Sequence, residues 1–431
     1  MRLIGNMEVK DNILYIGGVS IEKLVEEYKT PLYVIDEKLV RDKCRRYYKA
    51  FKADKNNKVT YAGKAFLNLA MCQIINSEGL YLDVVSEGEL YTALKSGFPM
   101  EKVYFHGNNK TLDEIEMGIE LEVGKFVVDN LYEMDKINSL AKKKGKVQKI
   151  LLRVTPGIEA HTHEYIKTGQ IDSKFGFTMI NGEIIDVVKK AMGFSNIKLT
   201  GIHCHIGSQI FETKPYEDEV EVMLNLVKNI KDETGYEVEE LDLGGGFGIY
   251  YTTEDKPKTV EDFCSVILEK AELKAKELNM KLPFLVIEPG RSIIGNAGTT
   301  LYTIGAIKEI PDIRKYVSVD GGMVDNIRPA LYNAPYECAI ANRVEDDSRE
   351  VVTVAGKCCE SGDILIKNVE LPKAQSGDIL AVFTTGAYGY SMASNYNKIP
   401  IPAVVLVKDG QSKLMSKRQS FDNMIENQIM L

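Results

Sequence analysis

The chain has 431 residues, of which 44% are hydrophobic and 27% are charged, and its formal charge is −8. These values are typical of a soluble globular protein with room for two domains, and the acidic charge without a Lys/Arg tract argues against nucleic acid as a main partner. No apolar run reaches the ~18 to 20 residues that a membrane helix requires.

From residue 59 to residue 288, short apolar runs rich in β-branched residues alternate with stretches of helical periodicity such as 220–230. We predict a strand in each of eight runs: 59–62, 81–85, 102–105, 125–129, 149–154, 199–203, 238–243 and 283–288. Alternation indicates parallel strands joined by crossover helices. A doubly wound sheet also alternates, but eight units favour a (β/α)8 TIM-type barrel, which typically has ~250 residues.

After about residue 291 the pattern changes to short strands separated by Gly, Pro, Asn and Asp, which is typical of an antiparallel β domain. The predicted strands there are 316–319, 350–354, 378–383 and 403–407. Two earlier runs, 12–16 and 31–35, are expected to add strands to the same domain. The expected organisation is therefore N-terminal strands (1–35), a barrel (36–290) and a C-terminal β-barrel domain (291–431).

Lys64 directly follows the first barrel strand and is flanked by small residues in Tyr61-Ala-Gly-Lys-Ala65. The position matters because active sites of these barrels form at the carboxyl ends of the strands. A buried lysine can have a lowered pKa and attack an aldehyde as a neutral amine. Lys64 is therefore a candidate Schiff-base lysine, although a single lysine is most often a surface charge.

Two segments at later strand ends are suited to a phosphate and a pyridine ring. Gly244-Gly-Gly-Phe-Gly248 follows the seventh strand, and phosphate sites of these barrels often use the loops after strands seven and eight. Glu288-Pro-Gly-Arg291 ends the eighth strand, where an acid can bond a pyridine nitrogen and Gly290 and Arg291 would lie near phosphate. Arg291 would also reach a substrate carboxylate. The alternatives are a tight turn for the glycines and a buried ion pair for Glu288.

The sixth strand ends in His203-Cys-His205-Ile-Gly-Ser208. Alternation places both imidazoles on one face, so that one could stack on an aromatic cofactor while Ser208 donates to phosphate. The alternative is zinc, because His-x-His pairs bind it and His161-Thr-His163 forms a second pair. No carboxylate or Cys cluster with metal-ligand spacing accompanies either pair, and we expect no metal.

The β domain contains two adjacent cysteines in Cys358-Cys359-Glu360-Ser-Gly-Asp363. In a strand, adjacent side chains point opposite ways, so one thiol would pack and the other would be reactive. Packing is the commoner role for a cysteine in such a position.

In this order, the segments resemble the fold-type III pyridoxal-phosphate (PLP) decarboxylases, the alanine-racemase-like group that includes ornithine and diaminopimelate decarboxylases. The resemblance runs from about residue 31 to residue 397 and is closest to the diaminopimelate decarboxylases. Other similar segments are His163–Gly176, Asp320–Met323, Ile327–Tyr332, Cys359–Asp363 and Gly386–Tyr390. The resemblance implies PLP as the cofactor. It also implies decarboxylation of meso-diaminopimelate at its D-configured carbon to L-lysine and CO2, the last step of lysine biosynthesis.

The resemblance assigns a role to each candidate residue. Lys64 would hold PLP as a Schiff base, His205 would stack on its ring and Glu288 would bond its nitrogen. The residues holding phosphate would be Ser208, Gly244, Gly245, Gly246, Gly248, Gly290 and Arg291. The residues binding substrate would be Arg291, Arg328 and Tyr332 at the distal carboxylate, Glu360 at the distal ammonium, and Tyr388, which would also contact the cofactor. Cys359 would protonate the carbanion as general acid.

The family's sites lie between the barrel of one subunit and the β domain of another. The resemblance therefore implies a homodimer with shared active sites, in which Cys359 enters the site of the partner. The seven cysteines have irregular spacing and the first residues lack the apolar core of a signal peptide. We therefore expect a reduced, cytoplasmic protein.

One position departs from the family pattern, because Phe66 stands where the lysine segment usually has Asn. Same-fold decarboxylases of ornithine, arginine or carboxynorspermidine remain alternatives. Arg328 and Tyr332 disfavour the first two, since a cation is suited to a distal carboxylate. A non-catalytic PLP-binding relative would be expected to lose Lys64 or Cys359, and both are present. A zinc hydrolase would use the His-x-His pairs.

Overall fold

The N-terminal segment forms a small sheet and then a strand of a larger one. The computed structural model describes residues 2–53, 56–158, 173–179 and 182–431. Antiparallel strands β1 (Met7–Lys10), β2 (Ile13–Ile16) and β3 (Val19–Ser20) form the small sheet. They are followed by α1 (Ile21–Tyr28), β4 (Leu32–Asp36) and α2 (Glu37–Ala50). Helix α1 begins where the Ser20 side chain accepts a hydrogen bond from the Lys23 N–H.

Eight parallel strands close into the predicted (β/α)8 barrel, which is confirmed. The strands of this sheet are β5 (Lys58–Ala62), β6 (Tyr81–Val84), β7 (Val103–Phe105), β8 (Lys125–Val128), β9 (Gln148–Thr155), β10 (Phe177–Thr178), β11 (Ile197–His203), β12 (Glu240–Asp242) and β13 (Phe284–Ile287). Closure follows from the pairing of β13 with β5 and of β8 with β9. The two-residue β10 pairs with the end of β9 and lies outside the ring of eight.

Helices connect the barrel strands, as the periodicity predicts. They are α3 (Leu69–Ser77), α4 (Glu87–Ser96), α5 (Leu112–Glu120), α6 (Leu131–Lys143), α7 (Glu183–Met192), α8 (Lys214–Thr234), α9 (Val260–Glu277) and α10 (Arg291–Ile294). Most begin at a polar cap; Thr111 and Thr259, for example, form capping boxes with Glu114 and Asp262. Among the described residues, no helix is long and apolar enough to cross a bilayer.

The C-terminal region forms a nine-stranded sheet that branches at a long strand. Its elements are β14 (Gly298–Ile310), β15 (Arg314–Val319), α11 (Arg328–Tyr332), β16 (Cys338–Ile340), β17 (Arg349–Ala355), β18 (Ile364–Pro372), β19 (Ile379–Phe383), β20 (Ala403–Lys408), β21 (Gln411–Ser416) and α12 (Phe421–Ile425). The first half of β14 pairs with β4 and β19, and its second half pairs with β15. Pairing is mostly antiparallel, as predicted, but β15–β17 and β20–β4 are parallel.

The chain divides into two compact units. The first comprises Met1–Asp42, Ile249–Lys256 and Ile293–Leu431, and the second comprises Lys43–Gly248 and Pro257–Ser292. The short internal segment joins the first unit because Ile249 and Tyr251 are buried in its apolar core. Leu14 and Ile16 of β2 are buried with residues of β4, β14, β19 and β20. The 12–16 run therefore packs against the large sheet without joining it.

Candidate active site

Every strand of the barrel brings a titratable side chain to its carboxyl end. In each case the residue lies within two positions of the last strand residue: Lys64, Asp83, His106, Asp129, Arg153, His203, Asp242 and Glu288. All but Lys64 are buried. A concentration of charge at this face of a barrel is the usual architecture of an active site.

Lys64 lies in a single 3-10 turn, Gly63–Ala65, directly after β5. Its side chain is exposed, whereas the sequence analysis considered a buried lysine. Gly63 is required there, because a Cβ atom would lie 2.7 Å from the Asp83 carbonyl oxygen. Phe66, the departure from the family pattern, is 1% exposed, and its carbonyl accepts a hydrogen bond from the Tyr61 hydroxyl. Phe66 therefore supports the turn by packing.

The glycine loop after β12 adopts a backbone that other residues would not tolerate. Gly244 and Gly246 have φ values of +62° and +100°. A Cβ atom on Gly245 would lie 2.2 Å from the Glu288 carbonyl oxygen, and one on Gly246 would lie 2.4 Å from the Gly207 carbonyl oxygen. The Gly248 N–H is used, because it donates to the Ile210 carbonyl at 2.8 Å. The loop is therefore packed tightly against the ends of β11 and β13.

Ser208, Arg291 and His205 lie beside this loop. The Arg291 guanidinium donates to Ser208 Oγ from Nε at 3.3 Å and from Nη2 at 3.0 Å. Ser208 accepts both bonds, so its own O–H is available to donate. The Gly245 N–H donates to His205 Nδ1 at 3.2 Å, which places the proton of a neutral imidazole on Nε2. Burial, with the charges of Lys64 and Arg153, lowers the pKa of His205 well below its ordinary value.

Glu288 is the buried anion of the site. It is 7% exposed and lies between two imidazoles, with Oε1 2.8 Å from His106 Nε2 and Oε2 3.3 Å from His203 Nε2. The Oε1 contact is close but lacks the alignment of a good hydrogen bond. Burial alone would raise a carboxyl pKa, but the two histidines hold the pKa of Glu288 well below its ordinary value.

These features fit a flat heteroaromatic ring that carries a phosphate. Glu288 is a carboxylate suited to a protonated ring nitrogen, and its Oε1 lacks an aligned donor in the described structure. Arg291, Ser208 and the glycine loop offer a cation, a hydroxyl and close backbone approach, which are the groups that phosphate sites use. His205 is partly exposed and has a ring that a cofactor face could cover.

The structure adds residues that the sequence analysis missed. His106, Asp83, Arg153 and Asp242 lie with Glu288 at the barrel face, and burial with the charge of Glu288 raises the pKa of Asp242. Each lies within two residues of the end of a predicted strand, so the strand-end rule applied to all eight strands would have found them. His161 and His163, with most of the loop that resembles a family motif, lie outside the described residues.

Arg328 and Tyr332 lie in α11 of the first unit, four residues apart and thus on one helix face. Arg328 is 8% exposed, and its Nη1 donates to the Tyr336 hydroxyl at 2.5 Å. Its guanidinium carbon lies 5.0 Å from the Tyr251 ring centroid. No carboxylate of the described residues forms an ion pair with Arg328, which is unusual for a buried cation. The arrangement is suited to an incoming anion.

Cys359 and Glu360 lie in a turn between β17 and β18. Cys358 is half-buried and Cys359 is exposed, so one packs and one is accessible, although neither is in a strand. The buried Asp363 holds the turn by accepting from the Cys358 N–H at 2.8 Å and from the Met323 N–H at 2.6 Å. The Cys359 N–H donates to Asn397 Oδ1 at 2.7 Å. Glu360 is exposed.

Tyr388 stands in the left-handed region, with φ of +61°. A bulky aromatic residue rarely adopts this conformation, and such strain concentrates at ligand sites. The strain supports a contact role for Tyr388 in the first unit.

Comparison with known proteins decides the family. Residues 37–295 match the family described as "Pyridoxal-dependent decarboxylase, pyridoxal binding domain". The diaminopimelate decarboxylases of Bacillus methanolicus and Bacillus subtilis are 52% and 49% identical to the chain, over 94% and 96% of its length and 94% of theirs. The chain belongs to the diaminopimelate decarboxylase family. The solved diaminopimelate decarboxylase of M. jannaschii, in co-complex with L-lysine, has a TM-score of 0.93 and 37% identity, covering 100% of this chain and 99% of that one.

Membership of the diaminopimelate decarboxylases makes the chain a PLP-dependent decarboxylase. It also confirms the expected cofactor, and the barrel residues that fit a phosphorylated pyridine ring fall within the matched range. The alternative interpretation as a zinc hydrolase gives way to this assignment, because the residues at the strand ends belong to a pyridoxal-binding domain.

Proposed function

We propose that this enzyme decarboxylates meso-diaminopimelate at its D-configured carbon, in the cytoplasm, to give L-lysine and CO2 as the last step of lysine biosynthesis. The observation that carries the choice of substrate is Arg328, a buried cation without an acid partner among the described residues. A distal carboxylate distinguishes diaminopimelate from ornithine and arginine and would supply that partner. The relatives' names and the M. jannaschii complex with L-lysine support the same substrate.

In the barrel, Lys64 would attach the cofactor and His205 would lie against its ring. Glu288 would accept a hydrogen bond from the ring nitrogen, and Ser208, Arg291, Gly290 and the glycine loop would hold the phosphate. Bound PLP supplies an electron sink for the bond to the departing carboxylate. The buried position of Glu288 would keep water away from this hydrogen bond.

At the substrate, Arg328, Tyr332 and Arg291 would bind the distal carboxylate, Glu360 the distal ammonium, and Tyr388 the substrate and cofactor. Cys359 would donate a proton to the carbon that CO2 has left. Its exposed thiol, in a turn fixed by Asp363, supports a role in contacting a bound molecule.

A homodimer with shared active sites completes the proposal. The cofactor residues other than Tyr388 fall in the barrel unit, whereas Cys359, Glu360 and Arg328 fall in the other unit. We propose that the Cys359 turn of one subunit serves the barrel of its partner.

Substrate choice is tested by measuring CO2 release from meso-, LL- and DD-diaminopimelate, ornithine and arginine. We expect turnover of the meso isomer alone. Arg328→Met should reduce kcat/KM for it about 100-fold, because a charged hydrogen-bonded pair contributes roughly 1.5 to 3 kcal/mol. Arg314→Met, at an exposed arginine of the same unit, is the matched control. Equal turnover of ornithine would contradict the assignment.

Lys64→Ala should remove both the visible absorbance of the bound cofactor and the release of CO2. Sharing of sites is tested by mixing this inactive variant with Cys359→Ala. Random reassociation should restore about a quarter of wild-type activity, because half the dimers would contain one intact site. A mixture as inactive as its components would show that each site is built from one chain.

A further inference from the structure

Two histidines outside the roles assigned above converge on Glu288. His106 directly follows β7 and is 5% exposed, and His203 ends β11 and is 1% exposed. Their Nε2 atoms lie 2.8 Å and 3.3 Å from different oxygens of the Glu288 carboxylate. The two rings meet edge to face, with centroids 5.0 Å apart. Each carboxylate oxygen is thus approached by one imidazole, His203 in a hydrogen bond and His106 in a close contact that lacks hydrogen-bond alignment.

The hydrogen bond of His203 defines which of its nitrogens carries the proton. A carboxylate only accepts, so the imidazole that hydrogen-bonds to it through Nε2 must carry its proton there. Nδ1 of His203 is buried and has no hydrogen-bond partner within the described structure. Burial lowers the pKa of His203 to about 4, so this imidazole is neutral and its one proton is on the side of Glu288.

Other charged groups also face Glu288. Asp83 Oδ1 lies 3.9 Å from His106 Nε2, and burial raises the pKa of Asp83. Asp242 ends the neighbouring strand and is fully buried, and Arg153 interacts electrostatically with Glu288 and Asp83. Asp242 also interacts with Glu288 through a side-chain hydrogen bond, and burial raises the pKa of Asp242. The two imidazoles, whose Nε2 atoms lie 2.8 Å and 3.3 Å from the carboxylate oxygens, are the groups that lower the pKa of Glu288.

We propose that His106 and His203 are positioning residues that keep the shared proton on the cofactor's ring nitrogen, through the contacts of their Nε2 atoms with the two oxygens of Glu288. The inference rests on the proposed contact between Glu288 and that nitrogen. One proton lies between the carboxylate and the ring, and it resides on the more basic partner. The two imidazoles stabilise the charged carboxylate and make it the less basic partner, so the ring remains protonated and accepts electrons.

The test uses near-isosteric pairs that differ in one donor. His106→Gln and His203→Gln retain an N–H near the position of Nε2, whereas His106→Met and His203→Met fill a similar volume without a donor. Each holoenzyme is reconstituted with PLP that is isotopically labelled at the ring nitrogen, and the nitrogen resonance is recorded by NMR. We expect the Met variants to move the resonance towards unprotonated pyridine and the Gln variants to remain near the wild type.

Cofactor affinity provides a second measurement. Loss of a donor to a charged group should weaken PLP binding by the apo-protein roughly tenfold in each Met variant, with rescue in the matching Gln variant. An unchanged ring-nitrogen resonance in folded Met variants overturns the proposal. If a Met variant does not fold, the test is nitrogen NMR of the wild-type enzyme labelled at its histidines. A proton on Nε2 and none on Nδ1 in both imidazoles supports the proposal. A proton on Nδ1 of either imidazole overturns it.

The variant Glu288→Gln distinguishes a failure of this inference from a failure of the proposed cofactor site. If the resonance of the labelled nitrogen does not respond to Glu288→Gln, Glu288 does not face the ring, and the proposed site is wrong at that residue. If it responds to Glu288→Gln but to neither Met variant, only the positioning role fails. The same three side chains have donor atoms within 4.8 Å of one another. Stoichiometric zinc in purified wild type would assign them to a metal and overturn the proposal.

Discussion

Glu219 is a carboxyl group placed in the barrel unit without a cation. It is 0% exposed in α8, and its Oε1 accepts from the Cys204 thiol at 3.1 Å, while Oε2 has no partner in the described part of the chain. Burial raises the pKa of Glu219 to about 8. The folded protein therefore keeps a proton that the unfolded chain releases above its ordinary pKa of 4.5.

The stability of the enzyme should consequently fall as pH rises from about 4.5 towards 8, because over this window the folded state binds more protons than the unfolded one. Glu219→Gln keeps the shape and cannot ionise. We expect it to unfold close to the wild-type temperature near pH 5 and to be more stable than the wild type by on the order of 4 kcal/mol near pH 8. Thermal unfolding across this range measures the difference.

Glu233→Gln, at an exposed position of the same helix, is the matched control and should follow the wild type at every pH. A Glu219→Gln profile parallel to that of the wild type would show that Glu219 ionises normally.

At the scale of the element, the turn that presents Cys359 depends on one buried carboxylate. Both oxygens of Asp363 accept backbone N–H groups, from Met323 and Cys358. Gly322 and Gly356 leave space for the Asp363 carboxylate. A Cβ atom on Gly322 would lie 2.4 Å from Asp363 Oδ2, and one on Gly356 would lie 2.2 Å from it. The turn is therefore rigid at its base while Cys359 is exposed at its tip.

Asp363→Asn should displace this turn, because the amide N–H2 would face a backbone N–H that needs an acceptor. We expect a loss of about 1 to 3 kcal/mol in the local hydrogen bonds and at least tenfold slower CO2 release, with the visible absorbance of PLP retained. The rate of Cys359 alkylation should change in parallel. Asp347→Asn, at an exposed position of the same unit, should alter none of these. Wild-type turnover in Asp363→Asn would contradict the dependence.

At the scale of the whole molecule, the barrel has a second charged layer at the opposite end from the active site. Glu240, the first residue of β12, accepts from Lys58 Nζ at 2.6 Å, from Lys125 Nζ at 2.5 Å and from the Tyr104 hydroxyl at 2.7 Å. These partners lie on β5, β8 and β7. Glu240 is 1% exposed, and burial lowers the pKa of Lys125 to about 8. One carboxylate thus links four strands inside the barrel.

Glu240→Gln should lower the free energy of unfolding by about 3 kcal/mol, because it leaves two cations without their counter-charge. PLP binding should be unaffected, since the change is at the amino ends of the strands. Glu239→Gln, at an exposed neighbour paired with Lys198, should change stability by less than ~0.5 kcal/mol. Denaturant unfolding and PLP titration of the three proteins provide the comparison.

Much of the architecture was predictable, because strand and helix periodicity are local. All eight predicted barrel strands are present, and Lys64, the glycine loop, Glu288 and Arg291 lie at the strand ends where the barrel rule places them. The parallel pairings of β15 with β17 and of β4 with β20 were not predicted, since pairing partners are distant in sequence. The sheet branches at β14 because this strand has 13 residues and pairs with three neighbouring strands.

The sequence by itself determined the barrel, the pyridoxal-binding family and the candidate residues, because motif order and alternation are properties of the chain. Only the tertiary structure placed His106 and His203 beside the two oxygens of Glu288 and left Arg328 buried without an acid partner among the described residues. Residues on β7, β11 and β13 become neighbours when the barrel closes. Burial then determines which of their groups remain charged, and this depends on packing that no local pattern contains.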